Sequence, residues 1–396
     1  MMVCARALLF WLLTGLGLAG ACTPAARVER FCELGTERPV AESPEGFDDL
    51  AVVALSEGAL SVWSEPRGLY ARRLGADGKP QAAARRLGPR CRGGVATAIA
   101  ADGPVVVCLS PRPGPNAVPK HDDAGVVVVR TLARDLRPAR QWLLSPAGDL
   151  SFGVDAVVVD GGLEISWQDA SPAGHRVWWA RLGEGPAQAV STPGRMATEP
   201  SITVHAGRSL LTWVEHWVQG EGLENRVQIA RPGAEPRTLL QVDHVAAMPQ
   251  LFSLGGRLWS AVRDRRRAGR KAGLYVAPIA EGSGSIADKP GEAVRIGRAD
   301  GKQRPSLCPC MGGLVAATPR SYGRDYFVGI NWYDQALRPG RGEQQFYEDA
   351  HAFTGADVAC VGDHALILIA ERAQQGGAPT LLSAVPYRCR AGRDGR

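Results

Sequence analysis

Carboxylates at a recurring position are the first residues of this chain that could do chemistry. Glu65, Asp169, Glu215, Asp264 and Glu371 each follow a short apolar run, and the first three stand two residues after a tryptophan, Trp63, Trp167 and Trp213. Two such acids within roughly 5 to 10 Å of one another would suit general acid and base chemistry at a glycosidic bond. A residue that returns once per repeat ordinarily serves the repeat, however. These acids are therefore expected to accept hydrogen bonds from hairpin backbone or to pair with arginine on a neighbouring strand. The tryptophans read the same way, as large rings filling the wedge between adjacent sheets.

Residues that break the repeat are better candidates, and three loops hold them. Residues 111–125 contain His121-Asp122-Asp123, a histidine beside two carboxylates that could ligate a divalent cation. Three residues in succession do not converge on one point from a strand, so a solvated loop is expected there. Glu215, His216 and Trp217 precede Gly220-Glu221-Gly222, and an exposed tryptophan beside an acid and a histidine could stack on and hydrogen-bond a sugar ring. The plainer reading packs Trp217 onto a neighbouring loop. The run Arg263-Asp264-Arg265-Arg266-Arg267-Ala268-Gly269-Arg270-Lys271 is a basic tip, with Arg265, Arg266 and Arg267 as candidates for touching anionic head groups at about 1 kcal/mol per charge. The sequence holds no G-x-S-x-G elbow, phosphate-binding loop or H-E-x-x-H. No catalytic, metal or cofactor-binding residue is assigned, and no cofactor is expected.

The elements that position these residues show in the punctuation. Tight-turn pairs recur at Glu57-Gly58, Asp102-Gly103, Gly161-Gly162, Ala206-Gly207, Gly255-Gly256, Gly312-Gly313 and Gly362-Asp363, 45 to 59 residues apart. Short runs rich in Val, Leu, Ile and aromatics flank each pair, as two-residue hairpins require. A third run follows in each unit (Leu69 to Leu74 in the first), and a fourth, weaker one in six of them. In the first unit, Leu55 to Gly78, all of this reads as a β-meander.

Four strands per unit at a period of about 50 residues resembles a β-propeller, because one such sheet cannot bury both faces and closes a ring with its neighbours. The resemblance implies an all-β, seven-bladed β-propeller of four-stranded antiparallel blades. Six or eight blades, or a pair of β-sandwiches, are the alternatives. The units lack the Asp-box spacing of sialidases, the Trp-Asp ending of WD40 repeats and the double glycine of kelch repeats, so the repeats match no specific functional family. The seventh unit is one strand short, and Val28 to Leu34 is expected to complete it. Cys32 and Cys389 would then be neighbours and could form a disulfide. Cys91 and Cys108 fall in one blade. Either Cys308 or Cys310 could bridge to Cys360, leaving one odd thiol; metal or redox chemistry at Cys308-Pro-Cys310 is the weaker alternative.

The first residues carry a different signal. Arg6, the apolar run Ala7 to Leu18 and the small residues before Cys22 have the layout of an export signal. Ala19-Gly20-Ala21-Cys22 resembles the lipobox of bacterial lipoproteins, which implies a lipid attached at Cys22. The small residues fit that pattern, while Leu18 sits one place early and Gly20 holds a position often taken by Ala or Ser. Each buried methylene would contribute about 0.8 kcal/mol. Thr23 in place of Asp is similar to the outer-membrane sorting choice. The expected organisation is therefore a signal peptide over 1–21, an anchor, tether and ring-closing strand over 22–46, and the propeller over 47–396. The net charge of +6 is mostly arginine, and an exported protein meets little nucleic acid, so none is expected as a partner. The expected function is a non-catalytic binding or scaffolding module of the bacterial envelope, for a protein or glycan ligand, as a monomer or a subunit of an envelope complex. A carbohydrate-active enzyme, a hydrolase or lyase working at the channel mouth, is the alternative.

Overall fold

The computed structural model describes residues 30–110, 125–145, 150–171, 174–219, 222–242, 246–264, 272–279, 293–299, 304–322, 325–340, 344–346, 351–373 and 379–391. Within them the chain forms seven antiparallel sheets in chain order. Blade one is the meander Asp49–Leu55, Gly58–Glu65, Gly68–Leu74 and Arg85–Gly88. The innermost strands of blades two to seven are Val95–Ala100, Leu150–Val159, Met196–His205, Ala246–Leu254, Ser306–Cys310 and His351–Val361. Each blade then runs outward strand by strand, and each innermost strand packs against those of the adjacent blades. The chain is a seven-bladed β-propeller.

Its ring is closed by both ends of the described chain. Arg30–Leu34 pairs with the last strand, Thr380–Ala391, with Cys32 opposite Cys389, and the two sulfurs are bonded across a sequence separation of 357 residues. The outer edge of blade seven needs more than this one segment. Arg38–Ser43 takes up the other half, from Arg38 opposite Ala384 to Ser43 opposite Thr380. The two pieces part beside Pro386, which has no N–H to offer an outer strand; there the Gly35 N–H donates to the Pro386 carbonyl at 2.7 Å. Sequence reading missed Arg38–Ser43 because RPVAES contains a proline and few β-formers.

The inner hairpins also correct the turn assignments. Three two-residue loops fall where expected, at 206–207, 255–256 and 362–363, but four sit one residue earlier, at 56–57, 101–102, 160–161 and 311–312. In those four the expected second turn residue, Gly58, Gly103, Gly162 or Gly313, is the first residue of the second strand. Gly58 has a positive φ of 120°, and a β-carbon there would lie 2.1 Å from the Leu74 carbonyl oxygen of the third strand. Glycine is required by that close approach as well as by conformation.

The core lies between blades. Trp63 packs with Leu366, Leu368 and Leu382 of blade seven, Trp167 with Val105, Val107 and Val129 of blade two, and Trp213 among residues of blades three and four. All three indoles are fully buried, as a wedge filler should be. A second disulfide, Cys91–Cys108, ties the segment before blade two to its second strand, and a third, Cys310–Cys360, joins blades six and seven; Cys308 is the free thiol among the described residues.

Candidate functional site

The innermost strands wall an axial cavity of about 1040 Å3. Counting back from the last residue of each innermost strand gives equivalent positions. Six residues before it stand Asp49, Gly94, Gly153, Glu199, Met248, Arg304 and Gly355; four before it stand Ala51, Ala96, Asp155, Ser201, Gln250, Ser306 and Asp357. All fourteen line the cavity, which runs past the strand starts of blades one and two to Phe47, Asp48 and Gly93 and stops one residue short of the hairpin strand ends at Val204, Ser253 and Pro309. Its mouth is therefore at the face where the innermost strands begin. Val52, Ile202, Leu251, Leu307 and Val358, one residue deeper than the second ring, give the interior an aliphatic surface.

Most of the polar groups at the mouth tie one blade to the next. Asp49 of blade one accepts from Leu50 N at 2.8 Å and from the N–H of Val95 in blade two. Gly153 N of blade three donates to Gly93 O at 2.8 Å. Asp155 of blade three accepts from Ser201 Oγ at 2.9 Å and Ile202 N at 3.1 Å in blade four. Glu199 of blade four accepts from Met248 N of blade five. Gln250 Nε2 of blade five donates to Pro305 O at 2.6 Å, beside blade six. Ser306 Oγ of blade six donates to Asp357 Oδ1 at 2.6 Å and accepts from Val358 N at 3.1 Å, both in blade seven. Asp357 Oδ2 in turn accepts from Val52 N of blade one at 2.7 Å. Each of the seven junctions thus carries a polar bond at the axis. Arg304 spans further, donating to Glu199 O at 3.1 Å and Pro200 O at 2.9 Å past the intervening blade five.

The lining is acidic in a basic protein: Asp48, Asp49, Asp155, Glu199 and Asp357 face one guanidinium, Arg304. Asp48 is held by Arg90. Burial pushes the Asp49 carboxyl from 3.8 up to about 7, aided by the nearby charges of Asp357 and Asp48 and opposed by its two backbone hydrogen bonds. Asp357 is raised by burial too, with Asp155 adding to it. Asp49, Asp155, Glu199 and Asp357 each accept from a backbone N–H and are held in place by it. The aromatic rings of the lining, Phe47 and Phe252, are buried, so the described wall presents no open stacking platform.

The residues singled out in the sequence lie elsewhere. Glu65, Asp169, Glu215, Asp264 and Glu371 are buried within the blades. Glu215, fully buried, accepts from Thr192 N at 2.9 Å, Trp213 Nε1 at 3.2 Å and Gln228 Nε2 at 3.3 Å, with Arg195 3.6 Å away. His216 is held between Thr198 Oγ1 at 2.9 Å and Asn225 Oδ1. Trp217 is covered by two guanidiniums, Arg195 at 3.6 Å and Arg226 at 4.3 Å from its ring centroid, and so is not an open platform either. Glu215 and Trp217 lie on one face of the strand and share Arg195, while His216 between them turns to Thr198 and Asn225. Arg265, Arg266, Arg267, His121, Asp122, Asp123 and Cys22 lie outside the described residues. Among the described residues no group of three or more His, Cys, Asp or Glu side chains is arranged to hold a metal ion. Cys308, next to Asp357, has its thiol pushed up to about 12, by burial first and then by that carboxylate, which leaves no reactive thiolate at neutral pH.

No family model and no curated protein matches the sequence. Solved structures with a similar architecture include Trypanosoma rangeli sialidase, 10% identical with a TM-score of 0.45 over 89% of this chain and 59% of that one. A subtype N11 neuraminidase-like protein of A/flat-faced bat/Peru/033/2010 (H18N11) is 11% identical with a TM-score of 0.46, over 94% of this chain and 99% of that one. The Dos1 propeller is 10% identical with a TM-score of 0.47, over 85% and 77%. The chain thus spans about three fifths of the length of the T. rangeli enzyme.

Proposed function

We propose that this propeller is a non-catalytic binding module of the bacterial envelope, exported and held by a lipid on Cys22, and that it receives a cationic segment of a partner protein at the mouth of its axial cavity. One observation supports this above the others: four of the five mouth carboxylates, Asp49, Asp155, Glu199 and Asp357, are committed to blade-to-blade hydrogen bonds. A ring of acids locked in that way supplies fixed acceptors and negative potential, which is what a binding surface needs. Even with Asp48 paired to Arg90, Asp49 titrating at about 7 and Asp357 raised by burial, acids outnumber the one lining arginine, which favours lysine or arginine side chains, and the cavity is at the upper end of the volumes that ligand sites occupy.

The test uses short oligoarginine and neutral oligosaccharides as ligands in titration calorimetry. Oligoarginine should bind, more weakly as salt is raised, and Thr97→Trp, which places a ring in the cavity, should abolish the heat. Oligosaccharide binding that survives Thr97→Trp, or oligoarginine binding indifferent to it, would overturn the reading. Co-purification from solubilised envelopes then identifies the partner.

A further inference from the structure

We infer that the two-stranded ribbon Arg30–Leu34 with Tyr387–Ala391 is a docking edge for an anionic lipid surface, and that it turns the cavity mouth away from the membrane. This rests on the anchor reading of Cys22 given above.

The last strand runs from the mouth face to the hairpin face. Its pairing with the neighbouring inner strand ends at Tyr387 opposite Ala365, so residues 388–391 pair with Arg30–Leu34 alone. The ribbon thus extends the blade at the hairpin face, on the side opposite the mouth. Phe31 stands opposite Arg390 and Glu33 opposite Arg388, and residues facing each other and two apart on antiparallel strands share one side of the ribbon. All four are exposed, Phe31 to 48%. Arg390 is paired with Glu33 at 3.1 Å, which leaves the Phe31 ring and the Arg388 guanidinium as the groups that suit an anionic interface.

Position in the chain supplies the second argument. Only seven residues separate Cys22 from Arg30, and the eight steps between them reach at most about 28 Å even if fully extended. A lipid at Cys22 therefore holds this corner of blade seven closer to the bilayer than most of the ring. The Cys32–Cys389 bond keeps the edge from peeling when the tether is pulled, since it joins the first strand to one embedded in the blade. The edge at the membrane and the open mouth on the other face then follow from one geometry.

Phe31→Trp makes the surface visible through quenching by brominated lipid. The chain is attached by a polyhistidine tag in place of Cys22 to vesicles carrying nickel-chelating lipid, so the outcome does not depend on native acylation. Acylation itself is read separately, from the mass of the Cys22 peptide of the native protein. On brominated phosphatidylglycerol the added indole should be quenched, while a tryptophan at Leu143, exposed at the mouth face of blade two, should not. Arg388→Gln should lower the docked-to-undocked ratio about fivefold and Glu33→Gln should raise it about fivefold, the equivalent of about 1 kcal/mol per charge. Equal quenching on brominated phosphatidylcholine, no quenching on either lipid, or quenching of the Leu143→Trp protein instead would overturn the inference.

Discussion

Replacing Asp49 with asparagine should make the protein more stable at pH 8 and leave it unchanged at pH 4. The carboxyl titrates at about 7 in the fold against 3.8 unperturbed. Between those values the folded protein holds a proton that the unfolded chain releases, so wild-type stability falls as pH rises from about 4 to about 7. The full displacement corresponds to about 4 kcal/mol. Asp49 is only partly shielded from cavity water, which cuts the expected effect to about 2 kcal/mol. Asparagine keeps an acceptor for Leu50 N and Val95 N but carries no charge to bury. Urea unfolding of both proteins at pH steps from 4 to 8 gives the difference directly, because contributions from every other titrating group cancel between variant and parent. A variant gain of about 2 kcal/mol at pH 8 that vanishes toward pH 4 is the expected curve. Equal stability at pH 8, or a pH-independent difference, would refute the claim that burial of this carboxyl strains the blade one to blade two junction.

Three further outcomes follow from the packing. Converting both Cys32 and Cys389 to serine should lower stability by about 2 to 4 kcal/mol in thermal melts and make the segment before Phe47 the first site of limited proteolysis; an unchanged melting temperature would exclude the staple. Gly58→Ala should cost about 3 kcal/mol, because its β-carbon would meet the Leu74 carbonyl at 2.1 Å, whereas Gly362→Ala, with open space around it, should cost about 1 kcal/mol. Similar losses at the two sites would show that turn conformation alone explains Gly58. Cys308, half-buried and with its thiol pushed up to about 12, should resist iodoacetamide at pH 8 in the folded protein and react promptly in urea; rapid native alkylation would contradict the raised thiol.

Blade number was legible in the sequence because each inner hairpin carries a turn signal that local chemistry dictates, and ring closure because Val28 to Leu34 was left without a partner. Individual glycines were harder to place. At Gly58 and Gly313 the requirement comes from a carbonyl on the third strand, and a contact of that kind leaves no trace in local spacing. The cavity was invisible for a related reason. Asp49, Asp155, Glu199, Arg304 and Asp357 belong to five different blades and share no motif. Counting back from the strand ends would have shown them as charged exceptions at positions otherwise held by glycine, alanine or serine, with Met248 and Gln250 in blade five. Glu215, His216 and Trp217 misled in the opposite way, since adjacency gave the look of a binding constellation to side chains already engaged within the protein, Glu215 and Trp217 with Arg195 and His216 with Thr198 and Asn225.

The bond between Cys32 and Cys389 also bears on how the protein comes to be made. A chain is synthesised from its N-terminus, so Cys32 emerges first and must wait for a partner that appears 357 residues later. Cys91, Cys108, Cys308, Cys310 and Cys360 all come into view in the meantime. An oxidant joining thiols in order of appearance would link Cys32 to Cys91 and Cys108 to Cys308, trapping the first blade against the wrong strand. The native nested pattern calls for an isomerase, or for oxidation delayed until the ring has closed, and a cell lacking thiol-isomerising activity should accumulate the protein in scrambled form.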